Sequence, residues 1–488
     1  MTISFDSIPS TIRTPLVYFE FDNSRAVTGT PDVEHKVLVL GQMLATGSAD
    51  PLVPVRVLSA DHAVGLFGQG SMLAAMFVAI KNADTYIETW AIPQLDDAAG
   101  VAAAGALAIT GTATASGTLN LYVGGERVRI AVTEDDTAAE VATALAAAIN
   151  ADLDLAVTAA VVDGTITLTA RNKGECGNGL DLRLNYYSGE TTPAGIAVAI
   201  TGMTGGSGNP DVADAVAAFG DEWWNTIIMP WTDQANLVAL EAELEDRWGP
   251  MRQMDGIAYA AFKGTHGETG TFGNTRNTQL GSCMGTGPSP TPPYIWSAVY
   301  GVVAAGSLSI DPARPLQTLE LPGVLPPAVG DRWTKEERNL LLYDGIATYS
   351  VETDGTVRIE REITMYQTNS YGLADPSYLD VQTPATLGYI RFAQNARITQ
   401  KFPRHKLADD GTRFGAGQAI VTPSIIRAEL LVLGRELEEK GLVEDFEQFK
   451  ADLVVERDAD DRNRVNVLAS PNLVNQLRVL AGKNQFIL

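Results

Sequence analysis

Apolar runs that cannot complete a sheet where they stand set the problem for this chain. KVLVLGQ at 36–42 and, after a helical stretch from about Ser59 to Asn82, YIETWAIP at 86–93 begin a strand–helix alternation that stops near residue 95 and resumes only after residue 210. There NTIIMP reads as a strand and GIAYAAF as another. Between them TDQANLVALEAELEDRWG reads as a helix capped by Thr232, with Leu237, Leu240, Leu244 and Trp248 on one face. Strands alternating with helices at this spacing predict a largely parallel sheet with both faces covered. The chain must therefore leave that sheet and return to it, which predicts a discontinuous α/β domain of residues 26–95 and 210–345.

Residues 96–209 have a different character. They contain no Trp and no Phe, are rich in Ala, Thr and Gly, and hold more acidic than basic residues. Their own elements are legible: TLNLYVGGERVRIAV turning at Gly124-Gly125, an Ala-rich helix over about 137–150, and VTAAVVDGTITLTA turning at Asp163-Gly164. This predicts an inserted small α+β domain. Its ends, PQLDDAAG and MTGGSGNPD, read as flexible linkers, so replacing 98–208 by a short linker is expected to leave a folded chain.

A third pattern begins near residue 346. A hairpin turns at Asp354-Gly355, a long amphipathic helix follows Pro423-Ser424, and a second hairpin surrounds ERDADDRNR, giving an expected C-terminal α+β domain of 346–472. Both ends of the chain read as arms. Residues 1–25 are extended around Pro9 and Pro15, with Leu16/Tyr18 alternating against Val17/Phe19/Phe21 and too little apolar material for a local core. At 473–488, Leu477, Val479 and Ala481 alternate as a half-buried strand, and nothing follows KNQFIL to pair with it.

Bulk properties narrow the function classes. With 488 residues and 45% hydrophobic content the chain is globular and multidomain. It is read as holding no uncharged apolar run of about 18 residues, and MTISFDSIPSTIRTP lacks the layout of a secretory signal, so a soluble chain in the cytoplasm at synthesis is expected. A formal net charge of −24 disfavours nucleic acid and anionic membranes as partners. Cys176 and Cys283 are the only cysteines, which encodes neither a disulfide framework nor a thiolate metal site.

The motifs that could carry chemistry fall short of it. Gly68-Gln69-Gly70 resembles part of a dinucleotide fingerprint with Glu88 as the ribose acid, but Leu73 stands where the third glycine belongs, and the residues before it look helical. The glycines are better read as breaking one helix so that Ser71 caps the next. FKGTHGETGTFGN includes Lys263 but lacks the P-loop spacing, and reads as a loop or subunit contact. His266 and Cys283 have no orienting third group. His35, His62, His266 and His405 are scattered without zinc spacing, and ERDADDRNR lacks the glycine and final glutamate of a calcium loop. No catalytic residue, cofactor or metal is expected.

Taken together, IPSTIRTPLVYFEFDNSRAV, TLNLYVGGERVRIAVT, GTITLTARNKGECGN, GTHGETGTFGNTRNTQLGSCMGTGPSPTPPYIW, DGTVRIEREITMYQTNSYG and LVNQLRVLAGKNQFIL resemble the tail sheath proteins of contractile bacteriophages, in the Mu-like group. The resemblance implies hexameric rings of self stacked helically around a tail tube protein, with baseplate and tail terminator proteins as further partners. It implies assembly in the host cytoplasm, a place in the virion tail, and irreversible contraction for genome ejection. It also implies strand exchange between subunits through Ile3, Phe5, Leu16, Tyr18, Phe19 and Phe21 at one end and Leu477, Val479, Ala481 and Phe486 at the other, an inner domain from about 346, and an outward-facing 96–209. Two other readings stay open: a different structural tail protein such as a baseplate component or adhesin, and a nucleotide-dependent enzyme on the α/β core, which would need the missing glycine or lysine.

Overall fold

The computed structural model describes residues 13–15, 17, 19, 33–415 and 417–487. Two compact units divide after Ala385. The unit His35–Ala385 is built on a six-stranded sheet in the order Gly281–Gly285, Ile257–Phe262, Thr226–Ile228, Lys36–Gln42, Glu88–Gln94, Val55–Val57. All neighbouring pairs are parallel except the last, where Val55–Val57 lies antiparallel on the edge. Val37, Leu38, Val39 and Leu40 are fully buried, which is why KVLVLGQ shows no polar alternation.

Helices cover this sheet, with Met72–Ala83 packed on Pro293–Ile310. Pro293–Ile310 corrects the expectation that no long uncharged apolar run exists, since its 18 residues are apolar enough on average to span a membrane. It is buried on most of its circumference, from Tyr294 and Trp296 to Val302 and Leu308, as the central helix of a large core is. The helix Gln234–Trp248 is capped by Asp233, not Thr232. The Asp233 carboxylate accepts the Asn236 backbone N–H at 3.1 Å on one oxygen and its side-chain amide at 2.9 Å on the other, and a negative charge there suits the helix dipole.

Between the strands Glu88–Gln94 and Thr226–Ile228 the chain forms two antiparallel sheets. One has the order Ile196–Thr204, Ala104–Gly111, Thr165–Ala170, Val157–Val162, and the other Glu126–Val132, Gly117–Val123, Leu182–Leu184. The turns are those their residues prefer: Asp163 and Gly164 have φ of 47° and 80°, the positive pair of a two-residue hairpin loop. Thr137 caps the helix Ala138–Ala151 through a reciprocal bond with Glu140.

The expectation of flexible junctions fails here. Asp96, inside the first supposed linker, accepts from Gln42 Nε2 at 2.7 Å, Asn172 Nδ2 at 2.9 Å and the Lys173 N–H at 2.9 Å. Asn172 also accepts from the Met72 N–H at 2.9 Å and donates to the Met43 carbonyl at 3.3 Å. Leu180, Cys176 and Gly177 line one small cavity together with Met72 and Tyr294. One continuous apolar core thus runs from the parallel sheet into residues 96–209. Asp96→Ala would leave one amide N–H of Gln42 and one of Asn172 without its acceptor, in side chains of residues 0% and 5% exposed. A loss of about 2–4 kcal/mol in urea-induced unfolding is expected.

The expected boundary at residue 346 also moves. The hairpin Thr348–Val351 with Val357–Arg361 packs through Tyr349, Val357 and Ile359 onto Trp296, Tyr300 and Met284 of the parallel-sheet unit. Its burial against that core places it before the division after Ala385, not after it.

In the unit Thr386–Leu488, the helix Pro423–Glu439 buries Ile426, Leu430, Leu433 and Leu437, and Ile426 and Leu430 share a core with Phe446 and Phe449. Gly434 is required by that packing, because a Cβ there would lie 2.6 Å from the Phe449 ring. Arg397 pairs with Glu436, and Lys401 with Glu429 at 2.6 Å. Small two-stranded sheets complete the unit: Lys406–Leu407 with Ile420–Val421, Val443–Glu444 with Asn472–Leu473, and Val454–Arg457 with Val465–Leu468.

Candidate assembly surfaces

The Gly68-Gln69-Gly70 stretch does what its glycines allow, ending one helix and leading into the next. Gly68 (φ 86°) ends the helix Ala60–Phe67, and the Ser71 hydroxyl caps Met72–Ala83 by accepting from Ala74 N–H at 3.1 Å. The Met72 N–H at that helix start is already taken by Asn172, and a Cβ on Gly70 would come within 2.5 Å of the Leu153 carbonyl. Glu88 pairs with Arg56 at 3.1 Å and accepts from Trp90 Nε1 at 2.7 Å. A thermal-shift series with ATP, GTP, NAD and NADP should accordingly show no saturable stabilisation.

The other chemistry-bearing residues are placed for structure. Lys263 donates to the Gly179 carbonyl at 3.0 Å, and burial lowers its pKa. Cys283 lies fully buried in the strand Gly281–Gly285, where desolvation pushes its thiol pKa well up and away from nucleophilic use. His266 meets the Glu337 carbonyl at 2.9 Å and the edge of Trp333, so nothing joins it to Cys283 as base to nucleophile. His35 bonds Thr226 Oγ1 at 3.1 Å, and burial brings its pKa down to about 4. Among the described residues no group of three or more His, Cys, Asp or Glu is arranged to hold a metal ion.

What the described chain does present is an exposed end. Residues 474–487 belong to no helix or strand. The last strand is Asn472–Leu473, bonded to Val443–Glu444, so the arm departs after Leu473 and the expected start at 473 shifts by that pairing. Beyond it Leu477 is 73% exposed, Val479 78% and Phe486 84%, with Ala481 exposed as well. Exposed apolar side chains at this density are unusual on an isolated chain and usual on a surface that another chain covers. At the other end Phe19 is exposed, while Ile3, Phe5, Leu16, Tyr18 and Phe21 lie outside the described residues.

The Mu-like prophage FluMu tail sheath protein of Haemophilus influenzae is 53% identical over 488 residues, spanning 100% of both chains. The chain belongs to the phage tail sheath family. Models of that family match in three parts: the tail sheath protein beta-sandwich domain over 98–197, the central domain over 205–365 and the C-terminal domain over 374–487. The central-domain match of this sheath chain extends past the hairpin at 348–361, in keeping with where the hairpin packs. Among solved structures, the sheath tail protein of Desulfitobacterium hafniense is 14% identical, with 94% of this chain and 100% of that one covered and a TM-score of 0.47. The sheath complex of an extracellular contractile injection system in its contracted state is 11% identical, with 98% of each chain covered and a TM-score of 0.46.

The acidic run of this sheath chain, read from sequence as a solvated hairpin tip, proves to be one. The Asp458 carboxylate accepts the N–H groups of Asp460 and Asp461, each at 2.9 Å, and the Asn466 amide at 2.8 Å, and these bonds hold its pKa down to about 2.

Proposed function

We propose that this chain is the repeating subunit of a contractile tail sheath in a Mu-like virion. Copies assemble in the host cytoplasm as hexameric rings stacked helically around the tail tube, between baseplate and terminator proteins. Their irreversible shortening drives the tube through the host envelope. The observation that carries the reading is identity of 53% along the whole chain to a tail sheath protein, with no part of either sequence left over.

The physical features fit a polymer. An arm of exposed apolar residues gains main-chain hydrogen bonds by adding a strand to a neighbour's sheet, and such a link survives when rigid bodies rotate about it. Contraction then requires no nucleotide, since the work comes from the free-energy difference between two packings of the same subunits. The discontinuous parallel-sheet domain acts as the rigid body, residues 96–209 face outward, the C-terminal domain faces the tube, and no residue acts as a catalyst. Negative-stain microscopy of the purified protein tests this: hollow tubes of uniform diameter are expected, and a chain that stays monomeric or forms closed rings only would point to a baseplate component.

A further inference from the structure

Assembly by strand addition, the reading on which this inference rests for its purpose, works only where the other sheet edges do not accept strands as well. In the unit His35–Ala385 the edges of the three larger sheets carry devices of different kinds. Val55–Val57 and Leu182–Leu184 have three residues each, too short to template a strand. Gly281–Gly285 is covered by Ala347, whose N–H donates to the Cys283 carbonyl at 2.9 Å and whose carbonyl accepts the Gly285 N–H at 3.2 Å. Ile196–Thr204 shifts register between Thr201 and Thr204, and Glu126–Val132 carries Glu126, Arg127 and Arg129.

Val157–Val162 shows none of these devices among the described residues. It is an edge strand of six residues, VTAAVV, without charge, proline or glycine, and its register with Thr165–Ala170 runs unbroken. Uncharged segments of this length and β propensity pair readily with further strands. One side chain meets the edge. Asn150 Nδ2 donates to the Ala159 carbonyl at 2.8 Å, and the Ala159 N–H donates to Asn150 Oδ1 at 2.9 Å. Both backbone groups of Ala159 therefore point away from Thr165–Ala170, and by alternation Val157 and Val161 share that direction. The Asn150 amide fills the central outward place with the same donor and acceptor that a residue of an incoming antiparallel strand would bring. Helix propensity does not ask for it: Asn150 is exposed in the last turn of the alanine-rich helix Ala138–Ala151, where alanine would be the better helix former.

We infer that Asn150 closes the outer edge of Val157–Val162 against a strand of a second copy. Copies then do not join through residues 96–209, and strand addition is left to the arms.

Sedimentation velocity on the dilute full chain, below the concentration at which tubes form, tests this. Asn150→Ala should fold with unchanged circular dichroism, because water satisfies the exposed Ala159 groups and alanine suits the helix. Its self-association constant should rise at least about ten-fold, with hydrogen exchange in 157–162 slowing as concentration increases. Adding Ala160→Lys, at an exposed position, sets like charges on both edges and should return the chain to monomer. An Asn150→Ala chain that stays monomeric over the same range overturns the inference. So does association without concentration-dependent protection of 157–162, or association that the lysine does not relieve. A native chain whose Ala159 N–H exchanges at the rate of an unstructured amide also overturns it, and that measurement needs no variant. Every readout is taken on unassembled chain, so failure here leaves the strand-addition reading untouched. Failure of that reading, seen as tubes formed without residues 475–488, leaves these readouts unmoved.

Discussion

Removal of residues 475–488 should abolish tube formation and leave a soluble chain with unchanged far-ultraviolet circular dichroism. The cut is placed after Val474 because Asn472–Leu473 pairs with Val443–Glu444, and the Val474 N–H donates to the Leu442 carbonyl at 3.2 Å. A truncation from Leu473 would injure the unit's own sheet and confuse two effects. Past Val474 the arm's apolar side chains are mostly in solvent, so the melting temperature should move by no more than a few degrees. Val479→Pro should act in the same direction if its amide enters a neighbour's ladder, since proline removes the donor and fixes φ. Microscopy and sedimentation read the outcome. Regular tubes from the truncated chain would show that the arm does not hold the assembly together.

Replacing residues 98–208 by a short linker should yield insoluble protein, the opposite of what linker-like junctions imply. Met72 and Tyr294, 2% and 4% exposed, would lose Leu180 and Cys176, which line one small cavity with them. Gln42 would lose its bond to the Lys173 carbonyl at 2.8 Å, and Lys263 its bond to Gly179. Two uncovered large side chains and the stranded polar groups sum to about 5–8 kcal/mol, comparable with the whole stability of a domain. The soluble yield of the deletion and its unfolding midpoint decide it. A soluble variant with a cooperative transition near that of the full chain would show that the contact contributes little.

Local pattern carries the elements a long way. The Asp163-Gly164 and Gly124-Gly125 turns, the Thr137–Glu140 capping box and the break at Gly68 are dictated by residues a few positions apart, so they are legible without the rest of the chain. The cap of Gln234–Trp248 falls one residue from where the pattern puts it because Thr232 and Asp233 are both good caps. The choice between them is made by Asn236, which bonds Asp233, and by Asn209, whose amide reaches Asp233 at 2.8 Å from outside the helix. Pro293–Ile310 escapes a reading by composition because its apolar character is diluted by Ser, Gly and Tyr, which only a packed neighbour turns into core.

By itself the sequence determined the family, the alternation that demands a sheet completed from two distant segments, and the absence of a spaced nucleotide motif, since each of these resides in residue identity and order. Tertiary structure alone decided that residues 96–209 are bound into the sheet's core and not tethered to it, that the hairpin at 348–361 belongs with Trp296 and Tyr300, and that the last strand stops at Leu473. The reason is common to all three. Gly, Asp and Pro look the same in a loose linker and in a buried hydrogen-bond hub, and an alternating apolar run looks the same whether or not a partner strand is there. What separates the alternatives is which distant groups, such as Gln42 and Asn172 around Asp96, arrive to satisfy them.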